Sequence, residues 1–150
     1  MTSTTTKGST AELLGQLFKN VSMGRDSTLD LMEKVSDSAL KRDMTLQLNG
    51  YEGMARKIKE HLEATGEEAK EENLFTKMSA KVGTAFNTMM DDSPSHIADM
   101  MIQGSTMGMT DTTKLLREYE NTDASEASLS LCRSIIQFEE ENIERMKKHL

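Results

Sequence analysis

The histidines and carboxylates are the side chains with which this chain could bind a metal. A di-iron site inside a helical bundle needs a glutamate on each of two helices and a Glu-x-x-His motif on each of the other two. The three histidines are His61, His96 and His149, and the residues three positions before them are Ile58, Ser93 and Met146. Because no Glu-x-x-His motif occurs, the sequence excludes a complete di-iron site.

Three carboxylates lie near the middle of predicted helical stripes, namely those of Glu52, Asp111 and Glu139. Three oxygen ligands could hold a single divalent metal ion. The alternative is that these side chains are solvated charges at the edges of their stripes, where such residues are usually found. We favour solvated charges and expect no cofactor, and we keep the remnant metal site as the alternative.

Methionine and cysteine offer two other kinds of chemistry. Met100, Met101, Met107 and Met109 lie close together on one predicted helix, which suggests soft-metal binding. In helical projection no three of them point the same way, so core packing or an adaptable interaction surface is the better interpretation. A nucleophile–base pair is also missing from the sequence. No histidine near Cys132 in sequence shares its helical face, and no Gly-x-Ser-x-Gly motif occurs. The sequence therefore predicts no enzyme.

Charge and composition limit the partners. The chain has 150 residues and a net charge of −7, with no basic cluster. Nucleic acids and anionic membrane surfaces both require a positive protein surface, so neither is an expected partner. No apolar run approaches the roughly 20 residues that span a bilayer. A single cysteine suits a reducing compartment, and we expect a cytoplasmic protein.

Apolar residues recur three and four positions apart along most of the chain, which predicts helices. A capping-box pattern at Ser9 to Glu12 predicts a first helix from Ser9 to about Ser36. The Ser/Thr-rich residues 1–8 before it predict a disordered tail. A second helix is expected from Asp37 or Ser38 to Gly66, with an inner stripe of Leu40, Met44, Leu48, Tyr51, Ala55, Ile58 and Leu62.

Three further helices are expected in the second half of the chain. A shorter helix is predicted between Leu74 and Met89. The next helix is predicted to begin at Pro94, directly after Ser93 as its N-cap. The inner face of that helix is predicted to be Ile97, Met101, Gly104, Gly108, Leu115 and Tyr119. A second capping-box pattern at Asp123 to Glu126 begins the last helix, which is expected to run to Leu150.

Glycine is unexpectedly frequent inside these helices, where each residue costs about 1 kcal/mol relative to alanine. Gly24, Gly104 and Gly108 are predicted on inner faces near the middle of their helices. The simplest reason is a close approach of helices, with Gly104-x-x-x-Gly108 forming a flat groove. An internal cavity or a local break in the helix is the rival explanation.

Together these patterns predict an all-α fold: a ferritin-like antiparallel four-helix bundle with a short crossover helix between the two hairpins. Residues 9–150 are expected to form one domain. The alternative is an up-down array of five helices.

The span from about Thr10 to Leu150 resembles uncharacterised bacterial ferritin-like bundles that have lost the iron ligands. The resemblance depends on the stripe from Leu48-x-x-Tyr51 to the segment from His61 to Gly66, on Phe75 and Phe86 in the predicted crossover, and on the second helix pair. It implies the fold and dimerisation through a bundle face, and it implies no established activity.

The favoured functional interpretation is a non-catalytic bundle that acts through protein contacts, as a homodimer or with another protein. The alternative is a degenerate metal-binding or oxidoreductase protein that uses Glu52, Asp111 and Glu139. A third possibility is storage of a small ligand in a glycine-lined cavity.

Overall fold

The computed structural model describes residues 2–66 and 91–150, with side chains from Gly8 onward. These two ranges contain four helices and no strand: α1 (Thr2–Met32), α2 (Ser38–Ala64), α3 (Pro94–Tyr119) and α4 (Glu126–Lys147). The prediction of an all-helical bundle is therefore confirmed for the described residues. The predicted crossover helix between Leu74 and Met89 lies outside them.

The ends of α2 and the start of α3 follow the capping signals in the sequence. Asp37 Oδ2 accepts a 2.8 Å hydrogen bond from the backbone N–H of Leu40, which caps α2. After α2, Gly66 has a φ of 83°, a left-handed conformation that glycine adopts without a steric penalty. Ser93 caps α3 and Pro94 is its first residue, as predicted.

The capping predictions for α1 and α4 are wrong in position. Helix α1 begins at Thr2, before the predicted start at Ser9, and so runs through most of the predicted tail. Within this helix, the hydroxyl of Thr10 accepts a 2.9 Å hydrogen bond from the backbone N–H of Ser125. The N-cap of α4 is Ser125 and not Asp123, because the Ser125 side chain accepts from the N–H of Ser128. Both helices also end earlier than predicted, at Met32 and Lys147.

The four helices pack around two separate apolar clusters. The most extensive contacts are between α1 and α2 and between α3 and α4, and α1 also packs on α3 and α2 on α4. The first cluster combines the early part of α1, the late part of α2 and the early part of α4: Leu13, Leu14, Leu17, Phe18, Val21, Tyr51, Ala55, Ile58, Leu62, Leu129, Leu131, Cys132 and Ile135. The second cluster combines the opposite ends and the start of α3: Leu31, Val35, Leu40, Met44, Ile97, Ala98, Met101 and Met146.

The inner faces of α2 and α3 differ from the predicted stripes near the middle of the bundle. Gln47 is fully buried on α2, whereas Leu48 is only half-buried. On α3, Ser105 and Thr112 are buried, whereas Gly104 is exposed. The predicted apolar faces thus become polar at mid-bundle. No described helix contains a stretch long and apolar enough to cross a membrane.

Candidate functional site

A layer of buried polar side chains separates the two apolar clusters. On α1, α2 and α4 the layer lies between the residues of the two clusters, and on α3 it follows Met101, the last residue of that helix in the second cluster. We call this set the polar layer: Ser22, Asp26 and Thr28 on α1, Gln47 on α2, Ser105 and Thr112 on α3, and Glu139 and Asn142 on α4. Buried polar groups weaken a core unless they are paired, so a whole layer of them is the most informative feature of the interior.

Tyr51 and Glu139 form the centre of the layer. The Tyr51 hydroxyl lies 2.7 Å from Glu139 Oε1 and 3.0 Å from Oε2, and it donates to this carboxylate. The Nδ2 group of Asn142, one turn later on α4, donates to Oε1 over 2.9 Å. Arg145 then donates from Nη1 to Asn142 Oδ1, also over 2.9 Å. Residues spaced three apart on α4 therefore form a chain of hydrogen bonds from the half-buried Arg145 to the buried Glu139.

Burial changes the protonation of both central groups. It raises the pKa of Glu139 above its usual value, although the hydrogen bonds from Asn142 and Tyr51 act in the opposite direction. Burial, and then the neighbouring Glu139 charge, raise the pKa of Tyr51 well above its usual value. Tyr51 is therefore a neutral hydrogen-bond donor at physiological pH, and Glu139 holds a proton more readily than a carboxylate in water.

Three glycines make room for these side chains. A Cβ atom at Gly24 on α1 would lie 2.5 Å from the Tyr51 ring, and one at Gly108 on α3 would collide with Glu139 Oε2. Gly50 leaves space in the same way for the ring of Phe138, which meets the Tyr51 ring edge to face at a centroid distance of 5.0 Å. Any larger residue at these positions would have to displace the central pair or the ring packed against it.

Four buried side chains in the layer have polar atoms without a hydrogen-bond partner in the described ranges. They are Ser22, Gln47, Ser105 and Thr112, each at most 2% exposed, and both amide atoms of Gln47 are unpartnered. Ser105 Oγ lies near Tyr51 and Glu139 but makes no hydrogen bond of ordinary geometry to either. An unmade hydrogen bond of this kind costs about 1–3 kcal/mol.

The structure does not bring the three predicted metal ligands together. Glu139 is buried, but Asp111 is exposed and Glu52 is half-buried. Glu52 directly follows the inward-facing Tyr51 on α2, and Asp111 directly precedes the inward-facing Thr112 on α3. One residue along a helix turns the side chain by about 100°, so neither carboxylate faces the centre. Within residues 2–66 and 91–150, no group of three His, Cys, Asp or Glu side chains could hold a metal ion.

The two glycines of the predicted groove have different surroundings. Gly108 lies against Glu139, but a Cβ at Gly104 would meet no described atom within 4 Å. The reason is the helical register: Met101, Ser105, Gly108 and Thr112 share the inner face of α3, and Gly104 lies beside it. Its participation in an interface with another molecule stays a prediction.

The sulfur side chains are also placed differently from a metal-binding pattern. Met101 is buried in the second cluster and Met107 is exposed. Cys132 is a free, fully buried thiol, and burial raises its pKa to about 11.

Sequence reasoning missed Gln47, Ser105, Thr112 and Asn142 as members of a central site. The signal was present on α3, because continuing the stripe from Met101 in steps of three and four leads to Ser105, Gly108 and Thr112. A stripe made of apolar residues and glycine alone leaves out Ser105 and Thr112, because both are polar. No family model, curated protein or solved structure matches this chain.

Proposed function

We propose that this chain is a non-catalytic ferritin-like bundle whose centre binds a small hydrophilic ligand. The ferritin-like arrangement is supported by where the helices begin and end. The last turns of α2, with Leu62, lie in the first cluster, whereas the first turn of α3, with Ile97, lies in the second cluster. Helices α1 and α4 run in one direction and α2 and α3 in the other, so that each helix has antiparallel neighbours, as in ferritin-like bundles with one long crossover.

The polar layer is the observation on which the binding role depends. Among the described residues, Gln47, Ser105 and Thr112 are buried without a hydrogen-bond partner, and an unmade bond of this kind costs about 1–3 kcal/mol. Local departures of this kind from good packing are concentrated at functional sites, where stability is given up for binding. The central Tyr51–Glu139 pair supplies a fixed carboxylate beside these groups.

Binding is favoured over catalysis by the state of the central pair. Tyr51 and Glu139 are both nearly inaccessible to solvent and already hydrogen-bonded to each other. A tyrosine with a raised pKa is a poor general base, and a carboxylate fixed by Tyr51 and Asn142 is suited to orienting an occupant. The absent Glu-x-x-His motif argues against the di-iron oxidations of related bundles.

The replacement Gln47→Leu tests whether the layer serves binding or folding. Leucine has a similar volume and removes two unpartnered amide atoms, so we expect the free energy of unfolding of the ligand-free chain to rise by about 1–3 kcal/mol. Urea unfolding followed by circular dichroism, in a buffer with choline chloride as the only salt, measures this change.

Asn142→Leu is the matched control, because Asn142 is equally buried but is hydrogen-bonded to both Glu139 and Arg145. It should lower the free energy of unfolding. A Gln47→Leu variant that is less stable than the native chain would show that Gln47 supports the fold, and the binding role would have to be abandoned.

Self-association stays a prediction. The large apolar side chains that are exposed, Leu29, Leu46, Met107 and Leu150, lie on different helices or at the chain end, and single exposed apolar residues are common on monomers. Light scattering over a range of protein concentrations distinguishes a dimer from a monomer. The cytoplasmic location likewise stays a prediction.

A further inference from the structure

The two oxygens of the Glu139 carboxylate are in different positions. Oε1 accepts hydrogen bonds from Tyr51 at 2.7 Å and from Asn142 at 2.9 Å. In the part of the chain that the structure describes, Oε2 accepts only the longer hydrogen bond from the same Tyr51 hydroxyl, at 3.0 Å, and it faces the backbone of α3 at Gly108. A carboxylate oxygen has two lone-pair directions, so Oε2 retains capacity to bind.

Two buried side chains without a partner among the described residues lie one helical turn before Gly108 and Tyr51, which contact this carboxylate, and both lie toward the second cluster. Ser105 precedes Gly108 by one turn on α3, and it is near enough to Glu139 and Tyr51 to lower the pKa of both. Gln47 precedes Tyr51 by one turn on the same inner face of α2. Both side chains are at most 1% exposed and neither makes a hydrogen bond within the described ranges. Glu139, Ser105 and Gln47 thus bring one carboxylate, one hydroxyl and one amide, from three different helices, into the same buried layer.

The charge of this group of side chains defines the class of occupant. The other carboxylate of the layer, Asp26, has an ion pair with Arg25 at 3.4 Å, whereas the hydrogen bonds to Glu139 come from a neutral phenol and a neutral amide. The site therefore has one negative charge, on the Glu139 carboxylate, and otherwise neutral oxygen atoms. An occupant with a single positive charge balances it. Hard cations prefer oxygen ligands, and divalent cations in proteins usually take several carboxylates, which no described group provides.

We propose that Glu139 Oε2, Ser105 Oγ and Gln47 Oε1 bind one monovalent metal cation, Na⁺ or K⁺, at the centre of the bundle. This inference depends on the proposed function, because it names the class of the hydrophilic ligand. The cation neutralises the buried carboxylate and gives Ser105 and Gln47 the partner that they lack among the described side chains.

Thermal unfolding in different chloride salts tests the proposal. The native chain is melted in NaCl, KCl and choline chloride at equal concentrations, so that the anion and the ionic strength stay constant. Binding to the folded state alone raises the melting temperature. We expect NaCl or KCl to raise it by a few degrees over choline chloride, with a saturating dependence on concentration.

Variants assign that shift to the site. Glu139→Gln and Ser105→Ala should each abolish the difference between the salts, and Ser105→Ala keeps the test valid if the glutamine variant folds poorly. Glu140→Gln removes the same charge from the exposed neighbour on α4 and should leave the difference unchanged. A shift that survives in Glu139→Gln, or no difference between the salts in the native chain, would overturn the proposal.

Crystals grown in rubidium or thallium(I) salts locate the ion directly. We expect an anomalous-scattering peak between Glu139, Ser105 and Gln47, and density for water alone would overturn the proposal. Failure here is distinguishable from failure of the proposed function. If Gln47→Leu stabilises the chain in choline chloride but no salt shift occurs, the layer binds a different ligand. If Gln47→Leu destabilises the chain, the binding role itself is wrong.

Discussion

The hydroxyl of Tyr51 donates to Glu139 Oε1 over 2.7 Å and thereby joins α2 to α4 in the middle of the bundle. Both side chains are almost fully buried, so the bond is made where water cannot replace it. Gly24 and Gly108 on the two remaining helices leave the space that the pair occupies. All four described helices thus meet at this hydrogen-bonded pair.

Removal of the Tyr51 hydroxyl should destabilise the chain without disturbing its shape. Tyr51→Phe keeps the ring against Gly24 and Phe138 but removes a donor from the buried Glu139. We expect the free energy of unfolding to fall by about 1–3 kcal/mol in urea at neutral pH. The control is Tyr119→Phe, whose hydroxyl makes only an exposed 3.4 Å bond to Glu12 and whose loss should change stability by less than about 0.5 kcal/mol. Equal effects of the two variants would contradict the central role of Tyr51.

The raised pKa of Glu139 predicts how stability depends on pH. In the folded chain this carboxyl binds a proton more tightly than in the unfolded chain, for which the usual pKa is 4.5. Its favourable contribution is therefore complete below that pH and is lost as the pH rises through the higher pKa of the folded state. Glutamine at this position cannot ionise and does not lose stability in this way.

The free energy of unfolding of Glu139→Gln, relative to that of the native chain, should therefore be lowest at about pH 4 and should rise toward about pH 8. The measurement is urea unfolding of both proteins across this range in choline chloride, which keeps the effect of Na⁺ or K⁺ out of the comparison. Glu140→Gln, on the exposed side of α4, controls for the loss of a surface charge. A Glu139→Gln variant that becomes less stable relative to the native chain as the pH rises would contradict the assignment.

The Cys132 thiol should be unreactive in the folded chain. It is fully buried in the first cluster, and burial raises its pKa to about 11. At pH 8 only about one thiol in a thousand is then the reactive thiolate. We expect negligible reaction with an aromatic disulfide reagent in native buffer and one equivalent in urea, measured by absorbance. Prompt labelling of the native chain would show that the first cluster opens readily.

The outline of the fold could be predicted from the sequence because local signals were strong. The caps at Asp37 and Ser93, the proline at Pro94 and the left-handed Gly66 are each determined by residues within one turn. The start of α1 could not be predicted in this way. The helix begins at Thr2, ahead of the capping-box pattern at Ser9, so that local pattern does not mark its start. Local patterns likewise do not predict the hydrogen bond between Thr10 and Ser125, which lie far apart in the chain.

The candidate site could be predicted only in part, for a related reason. Glu139, Asp111 and Glu52 all lie near the middle of predicted stripes, but the actual partners of Glu139 are Tyr51 and Asn142, a core aromatic residue and an amide with no motif of their own. One residue of helical rotation places Asp111 and Glu52 away from this group. Side-chain chemistry suggested the ligands, but helix register determined which of them meet.

Gly104 and Gly108 offer a direct test of the glycine packing, because they lie one turn apart on the same helix. At Gly104 an added methyl group meets no described atom, so Gly104→Ala should raise the free energy of unfolding by up to about 1 kcal/mol through helix propensity alone. At Gly108 the same methyl group collides with Glu139 Oε2, whose carboxylate is fixed by Tyr51 and Asn142.

Gly108→Ala should therefore lower stability by about 1–3 kcal/mol despite the same gain in propensity. Urea unfolding of the two variants measures the prediction. The free energy of unfolding should rise in Gly104→Ala and fall in Gly108→Ala if Gly108 is needed for the central pair. Two stabilising substitutions would show that Glu139 can move aside at little cost, and Oε2 would then not be held in place to bind a cation. The double variant Gly108→Ala with Glu139→Ala separates the steric effect from any other, since removal of the carboxylate should restore the benefit of alanine in the helix.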